Sequence, residues 1–150
     1  MPHEFKLTRM IEFADTDAAG IMHFSNFFRL MEVTEHAFFR SLGFSIHKPE
    51  AEHRIGWPRV HAECSYKQPL RFEDIAEIQL LVREKKSKSL TYTFIIRKVN
   101  GQAIQEVARG SLTAVCITWD SKNGRMAAAP IPAEIADKIE VAPQEMFEQA

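Results

Sequence analysis

Cysteine is scarce in this chain: Cys64 and Cys116 are the only two among 150 residues. Both fall in segments with strand-like alternation, so they read as reduced core thiols and not as a disulfide framework. Long apolar runs are missing too. None approaches the ~20 residues that span a bilayer, and the opening MPHEFKLTRM has neither the apolar core of a secretory signal nor an Arg- and Ser-rich transit pattern. A soluble, cytoplasmic protein with no membrane span is expected. Excess charge of either sign is absent: the formal net charge is -1, which argues against sequence-independent nucleic-acid binding, because that requires a basic excess to displace counterions. Metal-ligand spacing is lacking as well. There is no close Cys pair, and no H-x-x-x-H among His3, His23, His36, His47, His53 and His61; no metal is expected. Glu32 and His36 stand one helical turn apart and read as a solvated helix face. Without a linker, repeat or low-complexity stretch, residues 1–150 read as one domain, long enough to bury a core of its own.

What is present is alternation. Phe5, Leu7, Ile11 and Phe13 alternate with Lys6, Thr8 and Glu12, the period of a half-buried strand. From Ser25 to Leu42 the spacing changes to three and four, with Phe27, Leu30, Met31, Thr34, Phe38 and Leu42 on one stripe and no Gly or Pro, so this is the one long helix, ended by Gly43. Period two returns from Arg59. Val60, Ala62, Cys64 and Tyr66 form one face against Arg59, His61, Glu63, Ser65 and Lys67, and Pro69 ends the strand. Ile78, Leu80 and Val82 mark another strand, and Leu90, Tyr92, Phe94 and Ile96 the next. Asn100-Gly101 signals a hairpin leading into a long apolar strand, Ala103 to Trp119, which carries large apolar residues on both faces. WDSKNGRM reads as a turn, and Pro132 opens a short terminal helix. The order is strand, long helix, then four successive antiparallel strands. That is an α+β class in which a sheet wraps around one central helix.

Residues 11–29, IEFADTDAAGIMHFSNFFR, carry the chemistry. Two acids, Asp15 and Asp17, are followed by small residues, Gly20, and an aromatic-rich helix entry. A carboxylate just before a helix amino terminus lies beside unpaired backbone N–H groups, which can hold a developing oxyanion while the carboxylate attacks or directs water. Such an arrangement suits acyl transfer. An aspartate in a turn also commonly caps backbone N–H groups, and the residues alone leave both readings open.

The D-x-D-x-x-G pattern of Asp15, Asp17 and Gly20, together with the aromatic helix start, resembles the 4-hydroxybenzoyl-CoA thioesterase family. The resemblance extends through Ile55–Pro58, the strand from Arg59, and the KKSKS segment before Leu90. It implies a hotdog fold assembled as a homodimer or homotetramer with active sites at subunit interfaces, hydrolysing an aryl- or aliphatic acyl-CoA; coenzyme A belongs to the substrate and no cofactor is implied. Position by position, Asp17 matches the catalytic carboxylate, as nucleophile or general base, and Asp15 is structural. Phe24 stands where many bacterial members carry His, and its backbone N–H is expected to polarise the thioester carbonyl. His23, Asn26 and Gly20 complete the candidate oxyanion and substrate site, with Asn26 also readable as a structural hydrogen-bonder. Lys85, Lys86, Lys88 and Ser89 are expected to meet the CoA phosphates, against a plain reading as a solvated hairpin. Alternatives are a hotdog (de)hydratase acting on a thioester, and a non-catalytic acyl-CoA-binding sensor.

Overall fold

The computed structural model describes residues 2–47, 54–120 and 122–148; His53 and Ser121 of the sequence readings lie outside them. Strand β1 (Glu4–Met10) is followed by a 3-10 turn at Phe13–Asp15 and helix α1 (Asn26–Ser41). Then come β2 (Ile55–Gly56), β3 (Arg59–Tyr66), β4 (Ile75–Lys85), β5 (Ser89–Lys98) and β6 (Gln105–Val115). The chain finishes with β7 (Ile117–Trp119), β8 (Met126–Ala128) and the short helices α2 (Ala133–Ala136) and α3 (Gln144–Glu148). No described helix is long and apolar enough to cross a membrane.

Five strands form one antiparallel sheet in the order β1-β4-β5-β6-β3, and β2-β7-β8 form a second, smaller one. The apolar stripe of α1 meets the large sheet: Phe27, Met31, Phe38 and Phe39 are almost wholly buried in one cluster with Ile78, Leu80, Val82, Leu90, Tyr92, Phe94 and Ile96. Each large apolar side chain so buried contributes roughly 1.5–3 kcal/mol, so packing outweighs intrinsic helix propensity in holding α1. Contact is closest at Gly110 of β6, where any Cβ would collide with Met31. The outer face of the central strands is covered by the carboxy-terminal segment, through Leu81, Ile95, Ala142, Met146 and Phe147.

Two expectations are corrected and two are made more specific. Phe13 leaves β1, which ends at Met10, and is 75% exposed in the 3-10 turn. The four later strands are antiparallel as expected, and their order in the sheet differs from their order in the chain, because β3 pairs with β6 at the sheet edge and β4 lies between β1 and β5. The long strand from Ala103 to Trp119 starts only at Gln105 and breaks at Cys116, whose N–H bonds Lys88 O while its C=O accepts from Ala129, sending β7 into the second sheet. Asn100-Gly101 does lie in the hairpin loop joining antiparallel β5 and β6, but the loop is longer than two residues, since pairing stops at Lys98–Gln105, and the Asn100 side chain accepts the N–H of Ile75 at 3.0 Å.

A fifth departure lies in β3. The register with β6 slips between Arg59 and His61, a bulge that turns Arg59 from the polar face of His61 and Glu63 towards α1. There its guanidinium donates to both oxygens of Glu35, at 2.9 and 2.7 Å. Val60, at the bulge, is left 64% exposed.

Candidate active site

The turn carrying the two acids is a small hairpin. Thr16 bridges Met22, the Asp17 N–H donates to Ile21 O at 2.9 Å, and the Gly20 N–H donates to Asp17 O at 3.0 Å. Gly20 has a φ of 80, a left-handed conformation that a side chain would oppose, which is why glycine ends the turn. The half-buried Asp17 carboxylate accepts the Ala19 N–H on Oδ1 at 2.8 Å. Its other oxygen has no partner among the described residues. One oxygen is therefore fixed and the other is not.

Asp15 is used differently. Its Oδ2 accepts the Glu12 N–H at 2.9 Å and its Oδ1 lies 3.5 Å from Arg29. Its carbonyl accepts the His23 N–H at 2.9 Å and the Asn26 side-chain amide at 2.8 Å. Asp15 and Asn26 thus brace the turn against the helix start.

Asp17 opens onto a cleft of about 570 Å³, bordered also by Met22, Phe24, Phe27, Tyr66 and Arg71. Phe24 presents an exposed ring there, and its backbone N–H has no hydrogen-bond partner among the described residues. His23 does not border this cleft. Its Nδ1 lies 2.8 Å from Ser25 Oγ and accepts the Ser25 N–H at 3.3 Å, with the ring 4.6 Å from that of Phe24. Asn26 lines a separate, smaller recess with Arg29. Of the candidate oxyanion and substrate residues, Phe24 shares the cleft with Asp17, Gly20 shapes its turn, and His23 and Asn26 stand behind it.

The lysine segment is elsewhere in the chain. The Asp17 hairpin is tied near the start of β4, through Met22 N–H to Leu70 O and Ile11 N–H to Asp74 O. Lys85 is at the opposite end of β4, roughly 33 Å further along the strand at ~3.3 Å per residue. The Lys85 ammonium donates to the carbonyls of Ala136 and Ile139, at 2.9 and 2.8 Å, closing the end of α2. Lys86 pairs with Glu84 at 3.0 Å, and Ser89 accepts the Lys86 N–H at 2.9 Å. Lys88 is exposed between them.

Tyr66 and Lys67 were read only as strand residues and Arg71 not at all, yet all three border the cleft. Glu35 was also missed. It is fully buried, and its place on the stripe, four residues after Met31, is the signal: a charge inside an apolar stripe needs a partner. Burial alone would lower the Arg59 pKa, but the hydrogen bond and charge of Glu35 outweigh it and raise the net value. The phenol of Tyr92 on β5 is pushed well above its ordinary value by burial and then by the Glu35 charge. Burial also raises Cys64 and Cys116, so both thiols stay protonated at neutral pH. Among the described residues no three His, Cys, Asp or Glu side chains group to hold a metal ion.

Known proteins share this frame. A protein of Aquifex aeolicus (strain VF5), named only as an esterase candidate, is 32% identical over 126 residues, 84% of this chain and 91% of its own. The 4-hydroxybenzoyl-CoA thioesterase of Pseudomonas sp. (strain CBS-3) is 26% identical over 137 residues, 89% of this chain and 96% of its own. The structure of a gentisyl-coenzyme A thioesterase superposes with a TM-score of 0.75 at 30% identity, over 87% of this chain and 98% of that one. The sheet wrapped around α1 is the hotdog arrangement of these enzymes. The model of the thioesterase-like superfamily matches residues 11–139, and to that family the chain belongs.

Proposed function

We propose that the protein hydrolyses an aryl-CoA thioester to the free acid and coenzyme A, with Asp17 as the catalytic carboxylate. The observation that carries this reading is one cleft holding a carboxylate with a fixed and an unpartnered oxygen, an unpaired backbone N–H at Phe24, and aromatic sides from Phe24, Phe27 and Tyr66. Two relatives named for hydroxylated aryl-CoA esters support the substrate class. In the reaction, the unpartnered oxygen of Asp17 attacks the thioester carbonyl carbon or takes a proton from a water that does so. The negative charge forming on the carbonyl oxygen accepts a hydrogen bond from Phe24 N–H, helped by the positive end of α1. The C–S bond then breaks, and coenzyme A leaves as a thiolate that takes up a proton. Along the attack route a mixed anhydride on Asp17 is hydrolysed in a second step.

The partner is a second copy of this chain. Strand β3 is a sheet edge with exposed Val60 and Tyr66, the kind of edge that pairs with a symmetry mate. Since Lys86 and Lys88 stand far from Asp17 in one chain, they serve CoA bound at the partner's cleft. Sedimentation of a fully active monomer would refute the dimer. Thiol release from hydroxybenzoyl-, gentisyl- and long-chain acyl-CoA tests the activity, with Asp17→Asn and Asp15→Asn alongside. Asp17→Asn should lose ~10²–10⁴ in kcat while still binding substrate, and Asp15→Asn should lose far less. Binding without thiol release would make the protein a sensor, and a changed enoyl chromophore would make it a hydratase.

A further inference from the structure

We propose that Tyr66 is a positioning residue for the acyl-transfer step, holding the peptide turn that presents the Phe24 N–H. The inference rests on the reading of Asp17 and Phe24 given above. Tyr66 is the last residue of β3, and its hydroxyl donates to the Phe24 carbonyl at 3.1 Å, joining positions 42 residues apart. The other donor to that carbonyl among the described residues is the Phe27 N–H, at a longer 3.4 Å. The first turn of the helix is thus loosely closed by its own backbone, and the phenol supplies the shorter bond.

The phenol is itself held at both ends. Its ring meets Phe27 edge-on, with centroids 5.0 Å apart, and Phe27 is only 3% exposed. Its backbone end is fixed by the next two residues, because the N–H groups of Lys67 and Gln68 both donate to Val107 O, at 2.8 and 3.1 Å. A donor pinned in this way sets the direction of the Phe24 backbone before substrate arrives, and preorganised donors are what electrostatic stabilisation of an oxyanion requires. Preorganisation also reaches the peptide that carries the Phe24 N–H. Its carbonyl, on His23, accepts the Asn26 N–H at 2.9 Å, so both peptides around Phe24 are tied through their oxygens while the N–H stays open. A bare packing role for Tyr66 would be served equally by phenylalanine, whereas the positioning role needs the hydroxyl.

Tyr66→Phe keeps the edge-on ring contact and removes only the donor. Hydroxybenzoyl-CoA hydrolysis by Tyr66→Phe should show kcat lowered about tenfold with KM within about twofold, the pattern of an interaction expressed in the transition state. Asp17→Asn, assayed with the same substrate, separates the two ideas. If Asp17→Asn is inactive and Tyr66→Phe keeps kcat within twofold of the parent, the Tyr66 role is overturned and the Asp17 reading stands. If Asp17→Asn hydrolyses at the parental rate, both fall. A rise in KM alone for Tyr66→Phe overturns the positioning role in favour of simple substrate contact. A readout independent of turnover is the amide NMR signal of Phe24. Tyr66→Phe should shift it and speed its hydrogen exchange in the unliganded protein, and an unmoved signal overturns the inference even if the variant is less stable.

Discussion

Removing the Arg59 guanidinium while keeping its aliphatic stem, by Arg59→Met, should be among the most destabilising single changes on β3. Glu35 is 0% exposed, and Arg59 donates to both of its oxygens while lying 3.4 Å from the exposed Glu32. Breaking a buried pair from one side typically costs about 3–5 kcal/mol, because the remaining charge is left without compensation. The Arg59 side chain is 24% exposed, so water can partly replace it and about 3 kcal/mol is expected. At roughly 2–4 °C per kcal/mol for a chain of this size, Tm should fall by about 6–12 °C. Glu35→Leu should cost less, since Arg59 can turn to Glu32 and solvent. The double variant Arg59→Met with Glu35→Leu should be more stable than Arg59→Met alone, because it removes the stranded carboxylate. Thermal melts at one fixed protein concentration give the cycle, because the Tm of any chain that associates depends on concentration. Two single changes that add to within about 0.5 kcal/mol, or an Arg59→Met Tm within about 2 °C of the parent, would refute the account.

Two further tests concern charge. Burial alone would push the Glu106 carboxyl up, but hydrogen bonds from Arg109 and Lys67 outweigh it and hold its pKa below the usual carboxylate range. The stability it supplies is therefore present above its unfolded pKa of ~4.3 and lost as pH falls through the folded value; Glu106→Gln should lower stability at pH 7, converge with the parent in strong acid, and so flatten the urea-melt stability profile below about pH 4.3. Replacing Lys86 and Lys88 with Ala should raise KM for aryl-CoA several-fold and leave kcat within about twofold, since phosphate contacts bind ground and transition states alike. Unchanged kinetics would return these lysines to an ordinary solvated hairpin. Lys85 belongs in neither variant, because it holds the end of α2 and its loss would confuse binding with folding.

The parts of the fold that were legible are those whose signal is local. The stripe of α1 could be read because its apolar spacing carries both the helix period and the buried face, and it lies between Asn26 and Ser41 much as expected. The inner residues of β4 and β5 alternate cleanly and do enter one cluster. The second sheet was hidden, because β7 follows β6 across Cys116 with neither Gly nor Pro to mark the break, and its partners β2 and β8 are too short to show a period. Strand order was hidden for a related reason. β3 alternates as well as any interior strand does, and only its long-range pairing with β6 makes it an edge.

The site divides along the same line. The turn at Asp17 and Gly20 rests on bonds spanning a few residues, so turn chemistry marks it in the sequence, whereas Asp15 braces the helix start through Asn26, eleven residues on. Tyr66, by contrast, gains its meaning from a carbonyl 42 residues away, and Lys85 gains its own from α2, more than fifty positions on in the chain. A cluster of like residues such as Lys85, Lys86 and Lys88 looks uniform when read along the chain, yet only Lys85 lies in β4, while Lys86 and Lys88 lie in the turn before β5, so each meets different neighbours. One lysine is therefore spent on a helix end, one is matched by Glu84, and one remains exposed. The physical content of such a cluster is set by what each side chain meets, which spacing along the chain does not show: the Lys85 ammonium reaches two carbonyls at the end of α2, while Lys88 stays exposed.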